Sequence, residues 1–183
     1  MAKQIVAGVA LALVGVGTAH AAGDVVISQV YGGGGNSNAP LQNDFVELFN
    51  RSSAPVSISG WSVQYASATG TGNFGGNPAA GLSGTLQPGQ YYLIKLAGGT
   101  VGAALPAADA TVTSLNMSGA SGKVALVNSS AGLACNGGSA PCSAAQLAQI
   151  VDLVGYGGAT FTATVQVAVC GVASALLNVT VVG

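Results

Sequence analysis

Residues Asp44 to Asn50 read DFVELFN and carry the clearest structural signal in the sequence. Successive side chains of an extended strand point to opposite sides. The two phenylalanines and Glu47 therefore share one face, while Val46 and Leu48 share the other. This alternation predicts a half-buried strand, and with it a protein built from sheets.

Short runs of the same kind recur at intervals of about ten residues, separated by Gly, Pro, Asn and Ser. The predicted strands are Val25 to Tyr31, Asp44 to Asn50, Val56 to Ser59, Trp61 to Ala66, Thr85-Leu86, Tyr91 to Leu96, Asp109 to Leu115, Gly122 to Val127 and Ile150 to Tyr156. Ser67 to Ser83 is predicted to be a long loop, and Ser143 to Gln149 a short helix capped by Ser143.

Many short strands with turn signals between them indicate an all-β protein, specifically an immunoglobulin-like β-sandwich. The composition agrees, because charged residues make up only 5% of the 183 residues and glycine occupies 29 positions. Helical bundles and charged disordered tails are rich in Glu, Lys and Arg. Trp61 is the single tryptophan, and we expect it to be a structural anchor between the two sheets.

Residues 1–22 have the features of a secretory signal peptide. Lys3 supplies a positive charge, Ile5 to Val16 is apolar, and Ala19-His20-Ala21 fits the small-x-small cleavage pattern. Cleavage after Ala21 or Ala22 predicts a secreted or periplasmic protein. The apolar stretch is short for a membrane span, which needs about 20 residues, so we expect no stable span here.

Cleavage would leave three basic residues against five acidic ones, a net charge of about −2. A surface that binds nucleic acid needs clustered Lys and Arg to displace counterions from phosphates. On charge alone, we therefore expect no direct nucleic-acid binding by this chain. The positions counted are Arg51, Lys95 and Lys123 against Asp24, Asp44, Glu47, Asp109 and Asp152.

Cys135 and Cys142 flank the segment NGGSAP and are predicted to form a disulfide that closes a flexible, hairpin-like loop. Half of a zinc site is the alternative reading, but the mature chain has no histidine and no second cysteine pair to complete it. Cys170 has no partner in this scheme.

Several segments together resemble the lamin tail domain family. The resemblance covers roughly Asp24 to Gly158. The order and spacing of the segments make it more specific than any single motif would be. The matching segments are VVISQVYGGG (25–34), NDFVELFN (43–50), SGWSVQY (59–65), LQPGQYYL (86–93), GKVALV (122–127) and VDLVGYG (151–157).

The sequence is most similar to lamin tail domains at the N-terminus of bacterial secreted nucleases, where a catalytic domain of the endonuclease/exonuclease/phosphatase type follows. The resemblance implies that residues 23–158 form an immunoglobulin-like sandwich and that the protein is extracellular. It also implies a non-catalytic binding or targeting role beside a metal-dependent nuclease domain. We expect no enzymatic activity and no cofactor from the chain itself.

Residues 159–183 depart from that resemblance, because they are apolar and carry no charge. Three readings stay open: a truncated or frame-shifted gene end, a terminal pair of strands, or a short membrane anchor. Alternating Thr and Val favour strands over a helix, and no basic residue follows to hold an anchor in place.

Catalytic residues are scarce in the mature sequence. Without His20 the chain holds no histidine, which excludes Ser-His-Asp and Cys-His catalysis within it. Asp44 and Glu47 are weak calcium candidates, with Asn43 beside them, because hard cations bind several oxygens. Their odd spacing on a strand puts them on opposite faces, and no calcium-loop spacing is present.

Two functions from different classes follow from these observations. The first is a secreted binding or targeting module, the lamin-tail part of an extracellular nuclease. The alternative is a stand-alone secreted structural or surface-interaction protein, which could assemble through exposed strand edges. The sequence does not identify the cell-surface or extracellular ligand in either case.

Overall fold

The computed structural model describes residues 23–69, 72–165 and 175–179, and most of them lie in strands, bends and turns. The all-β prediction is confirmed: two four-stranded sheets form an immunoglobulin-like β-sandwich. The predicted signal peptide, residues 1–22, and Cys170 lie outside the described residues.

The first sheet contains the strand that decides the fold. Its order is β1-β2-β7-β8, with every pair antiparallel except β7 and β8. The strands are β1 Val25–Tyr31, β2 Asn43–Asn50, β7 Tyr91–Gly98 and β8 Ala110–Thr111. In β2 burial alternates at every residue, as the period-two pattern predicted.

The second sheet has the order β10-β9-β4-β5 and is antiparallel throughout. Its strands are β4 Ser62–Ala66, β5 Ala80–Gly81, β9 Gly122–Val127 and β10 Ile150–Tyr156. Every residue of β4 and β9 is buried. Continuous burial on both faces means that other parts of the chain cover the outside of this sheet.

Two small antiparallel pairs complete the strands: β3 Val56–Ser57 with β6 Thr85–Leu86, and β11 Phe161–Val165 with β12 Ala175–Val179. The second pair lies in the apolar segment 159–183. The short helix α1, Ala144–Leu147, begins with a capping box in which Ser143 and Gln146 bond each other's backbone N–H. Among the described residues, no helix is long and apolar enough to span a membrane.

The main core lies between the sheets and consists of the inward side chains of both. Its largest fully buried members include Leu48, Ile94 and Leu126, one from each of three strands. Burying such a side chain stabilises the fold by about 1.5–3 kcal/mol. The alternation in β2 and β7 therefore fixes which side of the first sheet faces inward.

A second apolar cluster covers the outer side of the second sheet. It includes Phe74, the two cysteines and Phe161, packed over Ala125 and Val127. The prediction of Ser67 to Ser83 as one long loop was wrong in part, because this segment contains a 3₁₀ turn at Phe74–Gly76 and strand β5. Phe74 is fully buried, and that apolar anchor holds the segment against the sheet.

Two aspartates bond backbone N–H groups at the two sides of the first sheet. On the β1 side, the Asp152 carboxylate accepts a hydrogen bond of 2.7 Å from the Ile27 N–H. On the other side, next to the short strand β8, the Asp109 carboxylate accepts one of 2.8 Å from the Leu93 N–H of β7. An N–H already bonded to a side chain cannot pair with another strand, so these two groups are not available for edge pairing.

Candidate functional site

The outer sides of the two sheets differ, and the difference defines the candidate site. The open face is the outer side of the first sheet, formed by three cross-strand rows from β1, β2 and β7. The rows are Tyr31, Phe45 and Lys95; Gln29, Glu47 and Leu93; and Val26, Phe49 and Tyr91. All nine residues retain some solvent exposure.

Aromatic rings occupy both ends of the open face. Tyr31 and Phe45 are cross-strand neighbours with ring centroids 5.6 Å apart and a 25° angle between planes. Phe49 and Tyr91 are also neighbours, with centroids 4.6 Å apart. Tyr91 is 56% exposed, the most exposed large apolar side chain among the described residues. Such pairs stabilise each other by about 0.5–1.5 kcal/mol, and the other three rings are partly exposed.

Two of the three residues in the middle row of the open face are polar, and the third is Leu93. The Ser28 hydroxyl donates a 2.7 Å hydrogen bond to a Glu47 carboxylate oxygen, which orients the carboxylate on the surface. Gln29 is the cross-strand partner of Glu47. The row therefore offers hydrogen-bond acceptors and donors between the two aromatic ends.

The covered face is the outer side of the second sheet, and it contains a buried cation. Lys123 is 1% exposed. Its Nζ donates hydrogen bonds to the Asn136 carbonyl at 2.6 Å and the Thr160 carbonyl at 3.1 Å. Burial lowers the pKa of Lys123, because the charged ammonium loses hydration. The depression beside it, lined by Leu153 and Phe161 among others, is too shallow to enclose a ligand.

The Cys135–Cys142 disulfide predicted from the sequence is present on the covered face. The ring that it closes is packed and not a loose loop, since both cysteines are buried. Inside it, the Asn136 side-chain oxygen accepts from the Gly138 and Ala140 N–H groups. Gly137 has φ of 65°, and a Cβ there would lie 2.1 Å from the Phe161 ring, so glycine is required at this contact.

The two calcium candidates lie on opposite faces of β2, as their spacing predicted. Asp44 is buried, and its two oxygens accept from the Gly34 and Met117 N–H groups at 2.8 and 2.9 Å. A Cβ at Gly34 would lie 2.0 Å from the backbone of Asn43, so the glycine allows this approach. Burial raises the pKa of Asp44, and the two backbone bonds oppose that rise.

Asp44 therefore connects two loops, and Glu47 belongs to the open face. Asn43 directs its amide to the Leu96 carbonyl. Within the described ranges, no three His, Cys, Asp or Glu side chains lie close enough together to hold a metal ion. The structure does not bring the calcium candidates together.

Two tyrosines fix the loop that precedes β9. Tyr156 donates to the Ser118 carbonyl at 2.6 Å, and the Tyr65 hydroxyl accepts from the Ser118 N–H at 3.2 Å. Burial, followed by the charge and hydrogen bond of Tyr65, raises the pKa of Tyr156 above its ordinary value. Both hydroxyls are engaged in holding the backbone, so their arrangement is structural.

Trp61 is only partly buried and lies just before β4, where it packs against the core from its margin. Its role as an anchor between the two sheets stays a prediction. Sequence reasoning placed Phe45, Glu47 and Phe49 on one face but did not identify the aromatic rows. Their signal is the recurrence of Tyr or Phe at outward positions of three strands.

Together these features define an immunoglobulin-like sandwich with one covered and one open outer face. The sequence model of the Lamin Tail Domain matches residues 18–158, most of the chain, so the chain belongs to the lamin tail domain family. The matched domain is a non-catalytic one. A comparison with curated proteins gives no significant match.

Proposed function

We propose that this chain is a secreted binding or targeting module and forms the lamin-tail part of an extracellular nuclease. The observation that supports binding is the open face, where paired aromatic rings flank a polar row. Solvent-exposed aromatic surface is typical of interaction sites in soluble proteins. In this proposal the module holds the enzyme at a surface, and a separate nuclease domain performs the metal-dependent chemistry.

The proposal includes secretion through residues 1–22 and a sandwich over residues 23–158. Secretion is supported by the cleavage pattern and by the disulfide, which persists in oxidising compartments. The module itself is proposed to need no cofactor and to have no stable membrane span. The antiparallel pair β11–β12 within residues 159–183 supports the interpretation of that segment as terminal strands.

The second candidate is a stand-alone structural protein that assembles through strand edges. The positions of Asp109 and Asp152 argue against assembly at the two sides of the first sheet, because each occupies an N–H group that another strand would need. A stand-alone protein that interacts through the open face remains compatible with this geometry.

The native protein distinguishes the two candidates. We would capture it from culture medium with an antibody against the sandwich, then measure its intact mass and its DNA cleavage with and without EDTA. The proposal predicts a mass well above the 17.5 kDa of this chain and cleavage that EDTA abolishes. A mass at or below that value, with no cleavage, would establish the stand-alone protein.

A further inference from the structure

We infer that the open face binds a neutral polysaccharide, with pyranose rings stacked on its two aromatic pairs. The inference rests on the proposed binding function and names its ligand. A pyranose ring has an apolar face of C–H groups and a rim of hydroxyls. The C–H face packs on an aromatic ring, and the hydroxyls need hydrogen-bonding partners beside it.

The spacing on the open face fits a chain of sugars better than a single one. Phe45 and Phe49 are four residues apart on β2, which separates the two aromatic pairs by roughly 13 Å. Glu47, oriented by Ser28, lies between them, with Gln29 beside it in the row. A ligand that contacts both aromatic pairs and the polar row must extend over several rings.

The balance of charges on the open face favours a neutral ligand. The charged side chains in the three rows are Glu47 and Lys95, one of each sign. Nucleic acids also stack on exposed aromatic rings, but proteins that bind single strands add a positively charged groove along the phosphates. The open face has one lysine offset by one carboxylate, so it gives a polyanion no net attraction.

The rigidity of the face supports the same ligand. β2 lies in the middle of the sheet, paired with β1 on one side and with β7 on the other. The rings are thereby fixed on regular strands, and little conformational entropy is lost when a stiff ligand binds.

The test uses the full chain, secreted and purified from medium, with microcrystalline cellulose and chitin as probes. Tyr91→Ala and Phe45→Ala each remove one end of the aromatic surface. Val101→Ala is the matched control, because Val101 is also an exposed apolar residue, at 41%, and lies outside the three rows. Tyr91→Phe keeps the ring and removes only the hydroxyl. Circular-dichroism melting curves check that every variant is folded.

We expect wild type to adsorb to at least one of the two polysaccharides, and each alanine variant on the open face to bind about tenfold more weakly. Tyr91→Phe and Val101→Ala should stay within about twofold of wild type. Adsorption to neither polysaccharide would overturn the inference, and so would equal binding by wild type and the folded Tyr91→Ala. Binding to a single-stranded oligonucleotide that Tyr91→Ala abolishes would assign the face to nucleic acid instead.

A parallel assay with whole cells of the producing organism separates this inference from the proposed function. Cell binding that Tyr91→Ala leaves unchanged would retain a binding module but overturn the polysaccharide assignment. Cell binding that is lost in Tyr91→Ala and competed by soluble cello- or chito-oligosaccharides would support both. The absence of binding to cells and to polysaccharides would overturn both.

Discussion

The two sheets have the same number of strands, but their outer faces have opposite surroundings. On the second sheet, the 3₁₀ turn, the disulfide ring and Phe161 bury the outer side chains. On the first sheet, the described residues leave the aromatic rows partly exposed to solvent, with Tyr91 the most exposed. One face is thus a second core, and the other is a surface available to a ligand.

This difference separates stabilising residues from binding residues. Substitutions on the covered face remove packing or buried hydrogen bonds, and should lower the free energy of unfolding. Substitutions on the open face remove contacts that contribute little to the stability of the isolated protein. Matched residue pairs, one from each face, test the distinction directly.

The largest difference is expected between two phenylalanines. Phe74→Ala removes a fully buried ring and should lower the free energy of unfolding by about 3–5 kcal/mol. Phe45→Ala, on the open face, should lower it by about 1 kcal/mol. Urea unfolding followed by tryptophan fluorescence measures both values. Equal losses would mean that the two faces are equally buried in solution.

The disulfide should have the next largest effect. Replacing Cys135 and Cys142 together by alanine releases an eight-residue ring, which should cost about 2–3 kcal/mol of stability. The same loss should follow when dithiothreitol reduces wild type, and the reagent should not affect the double variant further. Unchanged stability on reduction would show that packing alone holds the ring.

A lysine pair gives the third comparison. Lys123→Met leaves the carbonyls of Asn136 and Thr160 without their shared donor, which should cost about 1–3 kcal/mol. Lys95→Met, on the open face, should change stability by less than about 0.5 kcal/mol. Chemical unfolding at pH 7 measures both. A neutral result for Lys123→Met would place this amine in solvent.

The buried lysine also predicts a pH dependence. Its folded pKa is lowered below the ordinary 10.5, so the unfolded chain binds more protons between the lowered value and 10.5. Stability from this group therefore rises with pH across that window. The stability of wild type relative to Lys123→Met should therefore increase as the pH rises toward 10.5. Chemical unfolding at a series of pH values measures it, and a constant difference between the two proteins would contradict the burial of Lys123.

Among the aromatic substitutions, the smallest effect on stability is expected for Tyr91→Ala. Its ring is mostly exposed, and it packs on Phe49 alone among the aromatic residues. The loss should be about 0.5 kcal/mol, or a shift in Tm of a few degrees at most. Calorimetry measures it. A loss above about 2 kcal/mol would show that Tyr91 belongs to the core.

The sequence predicted the first sheet better than the covered face. Burial in β2 follows the alternation of DFVELFN, because that signal is local to one strand. The position of Phe74 depends on partners about 60 residues away, where Cys135 and Leu133 accept the hydrogen bonds from Phe74 and Gly75. A Gly- and Asn-rich segment has no periodicity that could reveal such a long-range contact.

The burial of Lys123 is a second feature that the sequence could not predict. Lysine is rarely buried without a carboxylate, so a lysine on a predicted strand indicates a solvated face. Its burial depends on carbonyls presented by two other segments, at Asn136 and Thr160. The disulfide, in contrast, was predictable because the two cysteines are close in sequence.

Hydroxyl-radical footprinting of the full chain, alone and bound to cellulose or chitin, tests the account most directly. In the free protein we expect Tyr91, Phe49 and Phe45 to be oxidised much faster than Phe74 and Phe161. On the bound polysaccharide, Tyr91 and Phe45 should become protected while the covered face does not change. Equal oxidation of the two faces in the free protein, or protection confined to other residues on binding, would contradict the account.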